Sequence, residues 1–227
     1  MSKLKAHLSD KQGFVRNFSL LTISNMLASA VNLLVNMYLA RSVSIEVYGQ
    51  YGILISWSNI LLVISSLGLQ QIVIRYISRN QQNSVYYFKF GLFARLIGYL
   101  LMGFVFFVYL KITGGFNLNI SILLLAYVFL LSLWDGIQNV AFGMQRMEFT
   151  GYIRLFGNLL LLVTYIILPE KLISVELLFL GLMIIQLIKD LLYLWICKRQ
   201  NLFTIAKDKY DDKRIILPML VKQSFPY

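Results

Sequence analysis

Asn25, Ser29, Asn32 and Asn36 stand at offsets of +4, +3 and +4 within an otherwise apolar stretch. On a helix that spacing stacks all four on one face. Three amides in one stripe carry hydrogen-bonding capacity that hydrocarbon does not satisfy. Two fates fit such a stripe. It either bonds neighbouring helices, at roughly 0.6 kcal/mol per bond, or it lines a wet cavity that binds a polar ligand.

A second constellation, Trp134-Asp135-Gly136-Ile137-Gln138-Asn139, places Asp135, Gln138 and Asn139 on one helical face at i, i+3 and i+4. A carboxylate about ten residues from the end of its apolar stretch lies deep, at ~1.5 Å of rise per residue. Ionisable groups at such depth mark a substrate or ion pathway, or a buried pair. A third stripe holds Gln186, Asp190, Tyr193 and Cys197, with Lys189 beside it. Asp190 either couples an ion or pairs with a cation from a neighbouring helix. Arg95 follows Lys89 by a turn or two and reaches either a cavity or the headgroups. Arg154 lies near a surface, as an ordinary anchor or as a substrate contact.

The elements that carry these residues are apolar helices. Stretches such as Ile120–Leu133 and Leu177–Ile188 are greasy all round, and ~20 residues of helix span a ~30 Å hydrocarbon layer. Backbone groups in lipid must bond within their own segment, which selects helices over open strands. The fold class is therefore all-α, a polytopic membrane helix bundle of about six transmembrane helices. Spans are predicted near 18–40, 51–74, 91–112, 120–145, 155–168 and 174–197. The fifth looks short and is expected to begin within Thr150–Arg154. Hydrophobic residues make up 59% of the chain and charged ones 14%, with a mean hydropathy of +0.71, outside the range of soluble domains.

Lys and Arg alternate from one connection to the next. Fifteen of the 21 fall in 1–17, 75–90, 146–154 and 198–214, whereas the opposite connections offer only Arg41, Lys111 and Lys171. The positive-inside rule then puts the N-terminus and 198–214 in the cytoplasm. A net charge of +11 would suggest nucleic acid in a soluble protein. Beside apolar spans it points instead to anionic lipid headgroups and away from nucleic acid. The domain layout is a cytoplasmic N-terminus at 1–17, a six-span lobe at 18–197, a cytoplasmic connection at 198–214, and at 215–227 the start of a seventh span, apparently truncated. No small-residue cleavage site follows the basic N-terminus, so the first span reads as a retained signal-anchor.

Chemistry of the hydrolytic or redox kind has no residues to rest on. No Ser/His/Asp or Cys/His set, HExxH or phosphate-cradling loop is present. The lone Cys197 excludes an intrachain disulfide, and no His/Cys cluster suggests a metal or cofactor. Movement of a polar molecule across the membrane is the expected class, without catalysis.

Leu39-Ala40-Arg41 followed by Val47-Tyr48-Gly49-Gln50-Tyr51-Gly52 resembles the first hairpin of Wzx-type polysaccharide flippases, of the multidrug/oligosaccharidyl-lipid/polysaccharide exporter superfamily. Ser66-Leu67-Gly68-Leu69-Gln70-Gln71 with Val73-Ile74-Arg75-Tyr76-Ile77 is similar to that family's second span, and Phe142-Gly143-Met144-Gln145-Arg146-Met147 to its turn between spans four and five. Lys222-Gln223-Ser224-Phe225-Pro226-Tyr227 looks like the start of its seventh. The resemblance implies one lobe of a two-lobe flippase fold that works by alternating access in the bacterial cytoplasmic membrane. It implies a glycan on a polyprenyl diphosphate as substrate, for O-antigen or capsule, and contact with membrane lipids and the glycan assembly machinery. Asn25, Asn32, Asn36, Arg95, Gln138, Asn139 and Arg154 are the expected substrate contacts, and Asp135 and Asp190 the expected ion-coupling groups. A multidrug exporter of the same fold and a non-transporting membrane subunit are the competing readings.

Overall fold

A computed structural model describes the backbone of residues 2–66, 68–113, 118–168 and 173–203, and within these the side chains from Arg16 onward except those at 109, 110, 113 and 118. In chain order the helices are α1 Ser2–Ser42, α2 Ile45–Ser65, α3 Leu69–Arg79, α4 Ser84–Thr113, α5 Leu118–Gly143, α6 Glu148–Ile167 and α7 Val175–Arg199, with a 3-10 turn at Gln81–Asn83. Every one except α3 holds a stretch long and apolar enough to cross a membrane, six among the described residues. The protein is an all-α membrane bundle. The connection expected at 198–214 is described only to Phe203, and the apolar run at 215–227 lies outside the described residues.

Local chemistry sets the helix starts. Ser44 and Ser174 cap α2 and α7, their hydroxyls accepting from the amides of Val47 at 3.4 Å and Leu177 at 3.2 Å. Glu46 and Glu176 follow in the first turns, where carboxylates complement the helix dipole.

Around the bundle, α1 packs on α6, α6 on α7 and α7 on α5, while α5 also meets α2, α3 and α4. α1 presents Leu21, Ser24, Ala28, Val35 and Leu39 as its buried stripe. Two apolar clusters fill the interior. One, around Leu54, Leu124, Tyr165 and Phe179, lies toward the short α1–α2 connection. The other, around Ile77, Val140, Ile153 and Tyr193, lies toward the basic connections. The exterior is as apolar as the core, with Met26 and Phe104 each 69% exposed, as a hydrocarbon solvent requires.

The span expected at 51–74 is two helices. α2 stops at Ser65, Gly68 adopts the left-handed region at φ 67°, and α3 begins at Leu69. Ser65 and Ser66 turn their hydroxyls back to the carbonyls of Leu62 at 2.9 Å and Val63 at 2.7 Å, and glycine occupies positive φ without steric cost. α3 then buries Leu69, Val73 and Ile77 and exposes Gln71, Arg75, Ser78 and Arg79. That stripe suits the edge of a membrane rather than its interior. Gly98 of α4 makes room for the end of α2, since a Cβ there would lie 2.4 Å from the Ser65 carbonyl oxygen.

The fifth span is a full 20 residues and begins at Glu148, earlier than 150–154. Its first turns hold Glu148, Thr150 and Arg154, whose polarity hides the helix from a hydropathy reading. Tertiary contacts bury Glu148 and Thr150.

Candidate functional site

Polar side chains gather at mid-bundle in two arrangements. In the first the cation is enclosed while its carboxylate partner stays partly open, the Asp135 side chain being 23% exposed. Arg95, on α4, is 2% exposed and does not snorkel to a surface. Its Nη1 donates to the Ser132 carbonyl at 3.1 Å and lies 3.7 Å from Asp135 Oδ2, an ion pair between α4 and α5. With the Asn139 oxygen turned toward the guanidinium, that oxygen accepts from Arg95 Nη2 at 2.9 Å, and the Asn139 amide group donates to the Asp135 carbonyl at 3.2 Å. Gln138 is buried one turn on from Asp135. Of the shared face expected for Asp135, Gln138 and Asn139, Asp135 and Asn139 therefore meet a cation from the next helix.

The seam between α1 and α6 carries partly buried polar contacts. Arg154 Nη1 donates to Asn25 Oδ1 at 3.3 Å, and Asn158 Nδ2 donates to the Ala28 carbonyl at 2.8 Å. A Cβ on Gly151 would meet Ser24 Cβ at 2.6 Å, so glycine there lets the two backbones approach. Thr150 and Tyr193 hydroxyls bond one another across α6 and α7. Asn25 thus bonds a neighbouring helix through Arg154.

The second arrangement is open. A cavity of about 390 Å³ lies among α1, α2, α5, α6 and α7. Asn32 and Asn36 of α1, at the other end of the same stripe, line it. Opposite them are Tyr48, Tyr51 and Asn59 of α2, Tyr127 of α5, Asn158 of α6, and Gln186 and Lys189 of α7. The tyrosine rings are held by edge contacts with Phe179, at 6.2 Å for Tyr51 and 5.6 Å for Tyr127. Beyond the cavity mouth Ser29, Asn32, Ser56 and Asn59 are exposed on α1 and α2. Such a polar face at membrane depth belongs against water or protein rather than lipid.

Lys189 joins the two arrangements. Its stem lies across α6 at Gly157, where a Cβ would come 2.2 Å from Lys189 Cδ. Its Nζ sits 5.5 Å from the centre of the Trp134 ring and makes no ion pair among the described residues. Asp190, next in sequence, points away into the bundle at 3% exposure. Its Oδ1 accepts from Gln186 Nε2 at 2.9 Å, and its Oδ2 has no hydrogen-bond partner. Neither cation pairing nor exposure to the cavity is seen for Asp190. Among the described residues no group of His, Cys, Asp and Glu is arranged to hold a metal.

Sequence reading overlooked Tyr48, Tyr51, Asn59, Tyr127, Asn158 and Lys189 as cavity residues. A usable signal was present on two helices. Tyr48, Tyr51, Ile55 and Asn59 recur at helical spacing, as do Arg154 and Asn158. Lys189 gave none, because a single lysine in an apolar helix reads the same whether it lines a cavity or a seam.

Six apolar helices around a polar recess are the architecture of a membrane transport protein. Residues 14–223 match the family described as polysaccharide biosynthesis protein, and the chain belongs to that family, in agreement with the Wzx-type motifs at Val47–Gly52 and Phe142–Met147. Family and architecture together support a transporter role in polysaccharide synthesis. No curated protein and no solved structure matches the chain.

Proposed function

We propose that the chain forms a lobe of a flippase that carries a polyprenyl-diphosphate-linked oligosaccharide across the bacterial cytoplasmic membrane, for surface polysaccharide. The observation that carries this reading is the cavity lining: five carboxamides, three tyrosines and one lysine, with no carboxylate. Amides donate and accept at once, which suits a ligand rich in hydroxyls, and tyrosine rings offer apolar faces for sugar C–H groups. Its volume falls within the ~300–1,000 Å³ of small-molecule sites.

In this reading Asn32 and Asn36 contact sugar, and Lys189 meets an anionic group of the substrate. Arg95, Gln138 and Asn139 form the closed wall behind the cavity, and Arg154 with Asn25 keeps α1 and α6 moving as one body. Alternating access exposes the cavity to each face in turn, without covalent chemistry. Asp190, with an unpartnered oxygen, and Asp135 are the candidates to exchange a proton or sodium ion during that cycle. The basic connections and the N-terminus lie in the cytoplasm.

The test is complementation. In cells whose own polysaccharide flippase is deleted, the full-length protein should restore surface glycan, and lipid-linked oligosaccharide should accumulate at the inner leaflet when Asn32 and Asn36 are both changed to Leu. Restored glycan with that double variant, at normal membrane levels, would remove the cavity from the mechanism.

A further inference from the structure

On the far side of the bundle from the polar cavity, a trench of about 290 Å³ runs along α4 and α5. Tyr127 lines the cavity, while Phe129, two residues on and so on the opposite face of α5, lines the trench. Lys89 stands at one end. Leu92, Phe93 and Leu96 continue along α4 at helical spacing, facing Leu133 of α5. Tyr99 closes the other end, its ring 5.7 Å from that of Phe129 and its hydroxyl donating to the Leu125 carbonyl at 2.9 Å.

Length and lining define the occupant. About ten residues separate Lys89 from Tyr99, so the trench is ~15 Å long at ~1.5 Å per residue, half of the ~30 Å hydrocarbon layer. That is the depth of one leaflet. Phe93 is 64% and Leu96 42% exposed, so the trench opens outward from a membrane-crossing pair of helices. Its walls are apolar, and its single charged residue is a cation at the mouth. Arg75 and Arg79, exposed on α3 shortly before α4 begins, add positive charge at that end of the bundle.

We infer that this trench seats an acyl chain of an anionic phospholipid from the leaflet on the Lys89 side, with the Lys89 ammonium on the lipid phosphate. A zwitterionic phospholipid supplies the same chain and phosphate, but its own ammonium group offsets the attraction to Lys89. The trench also backs onto the Arg95 site. Ser132 lines it, and the Ser132 carbonyl holds Arg95. An acyl chain over Ser132 packs against the backbone that holds Arg95, so occupancy stabilises the bundle.

The purified chain, stripped of lipid in neutral detergent, is titrated with dioleoyl phosphatidylglycerol and with dioleoyl phosphatidylcholine. Bound lipid is counted by native mass spectrometry, and Tm is recorded in parallel. Phosphatidylglycerol should bind and raise Tm at about fivefold lower concentration than phosphatidylcholine, the ratio expected for one lysine at an anionic headgroup. Lys89→Gln should erase the preference while keeping acyl binding. Leu96→Trp, which fills the trench, and Phe93→Ala, which opens its wall, should weaken both lipids at unchanged helix content. Equal binding of the two lipids, a preference that survives Lys89→Gln, or unaltered binding by both trench variants would overturn the assignment. Displacement of phosphatidylglycerol by an equimolar polyprenyl phosphate would also overturn it, giving the trench to an isoprenoid tail.

Discussion

Arg95 and Lys189 are both cations within membrane-crossing helices, yet they occupy opposite kinds of surroundings. Arg95 is wrapped by Asp135, the Ser132 carbonyl and Asn139, and the wrapping closes the wall between α4 and α5. Lys189 lies over Trp134 at the edge of a cavity, with no ion-pair partner among the described residues. Removing a charge from water is costly in either place. One site offsets that cost with fixed hydrogen-bond and ion-pair partners. The other offsets less of it, with the face of the Trp134 ring beneath the ammonium. Residue type is nearly the same, so the difference lies in which helix faces each side chain.

The largest expected effect tests the Arg95 site. Arg95→Ala, which leaves the Ser132 carbonyl and Asn139 without their donor, should lower stability by about 3 kcal/mol. Asp135→Asn should cost less, because Asp135 is 23% exposed and Arg95 keeps its other acceptors. Thermal melting in detergent measures it, and the double change Arg95→Met with Asp135→Leu should recover most of the loss. An Asp135→Asn protein that melts like the parent but transports nothing would instead assign Asp135 to ion coupling.

Lys189→Met carries the comparison to the open side. Melting should barely change, while surface glycan in complemented cells should fall by on the order of tenfold or more, from losing a charged hydrogen bond of about 1.5–3 kcal/mol. Unchanged glycan would break the contrast between the two cations.

Glycines divide in the same way. Gly151→Ala forces a Cβ against Ser24 and should cost about 1–3 kcal/mol. Gly52 lines the cavity with nothing within 4 Å of its would-be Cβ, so Gly52→Ala should be neutral or stabilising by about 0.4–1 kcal/mol. Paired melting curves decide between them.

The mildest perturbation is chemical labelling in a Cys197→Ala background. Cysteines at Asn36 and Asn59 should react with small hydrophilic thiol reagents, and one at Gln138 should not. Ser44→Cys should label from outside intact cells, whereas Ser2→Cys should not. Reversed labelling of these last two would invert the orientation.

Much of the fold was legible because hydrocarbon is an unselective solvent. A run such as Ile120–Leu133 crosses it whatever its neighbours are, and 120–145 lies close to the observed Leu118–Gly143. The reading of 51–74 as one helix failed at Ser65–Gly68: Ser65, Ser66, Gly68, Gln70 and Gln71 mark a polar stretch in the sequence, but hydroxyls bonding back to carbonyls and a left-handed glycine are what end α2 there. The start of α6 was hidden because Glu148 and Thr150 look like a loop until α1 and α7 cover them.

The site was legible only as stripes. Offsets of three and four place Asn25, Asn32 and Asn36 on one face of α1, and that much follows from helix geometry. What the face meets changes along its length. Asn25 meets Arg154, 129 positions away in the chain, while Asn32 and Asn36 meet the cavity. The sequence by itself determined that six apolar helices cross a membrane, where most of the positive charge lies, and which polar residues share a face. All of these depend on hydropathy and spacing along one segment. Only the tertiary structure decided that Arg95 is locked by Asp135 while Lys189 is left to the cavity. Satisfying a buried polar group takes a partner within about 3 Å, and partners at that range come from other helices whose approach no local pattern encodes.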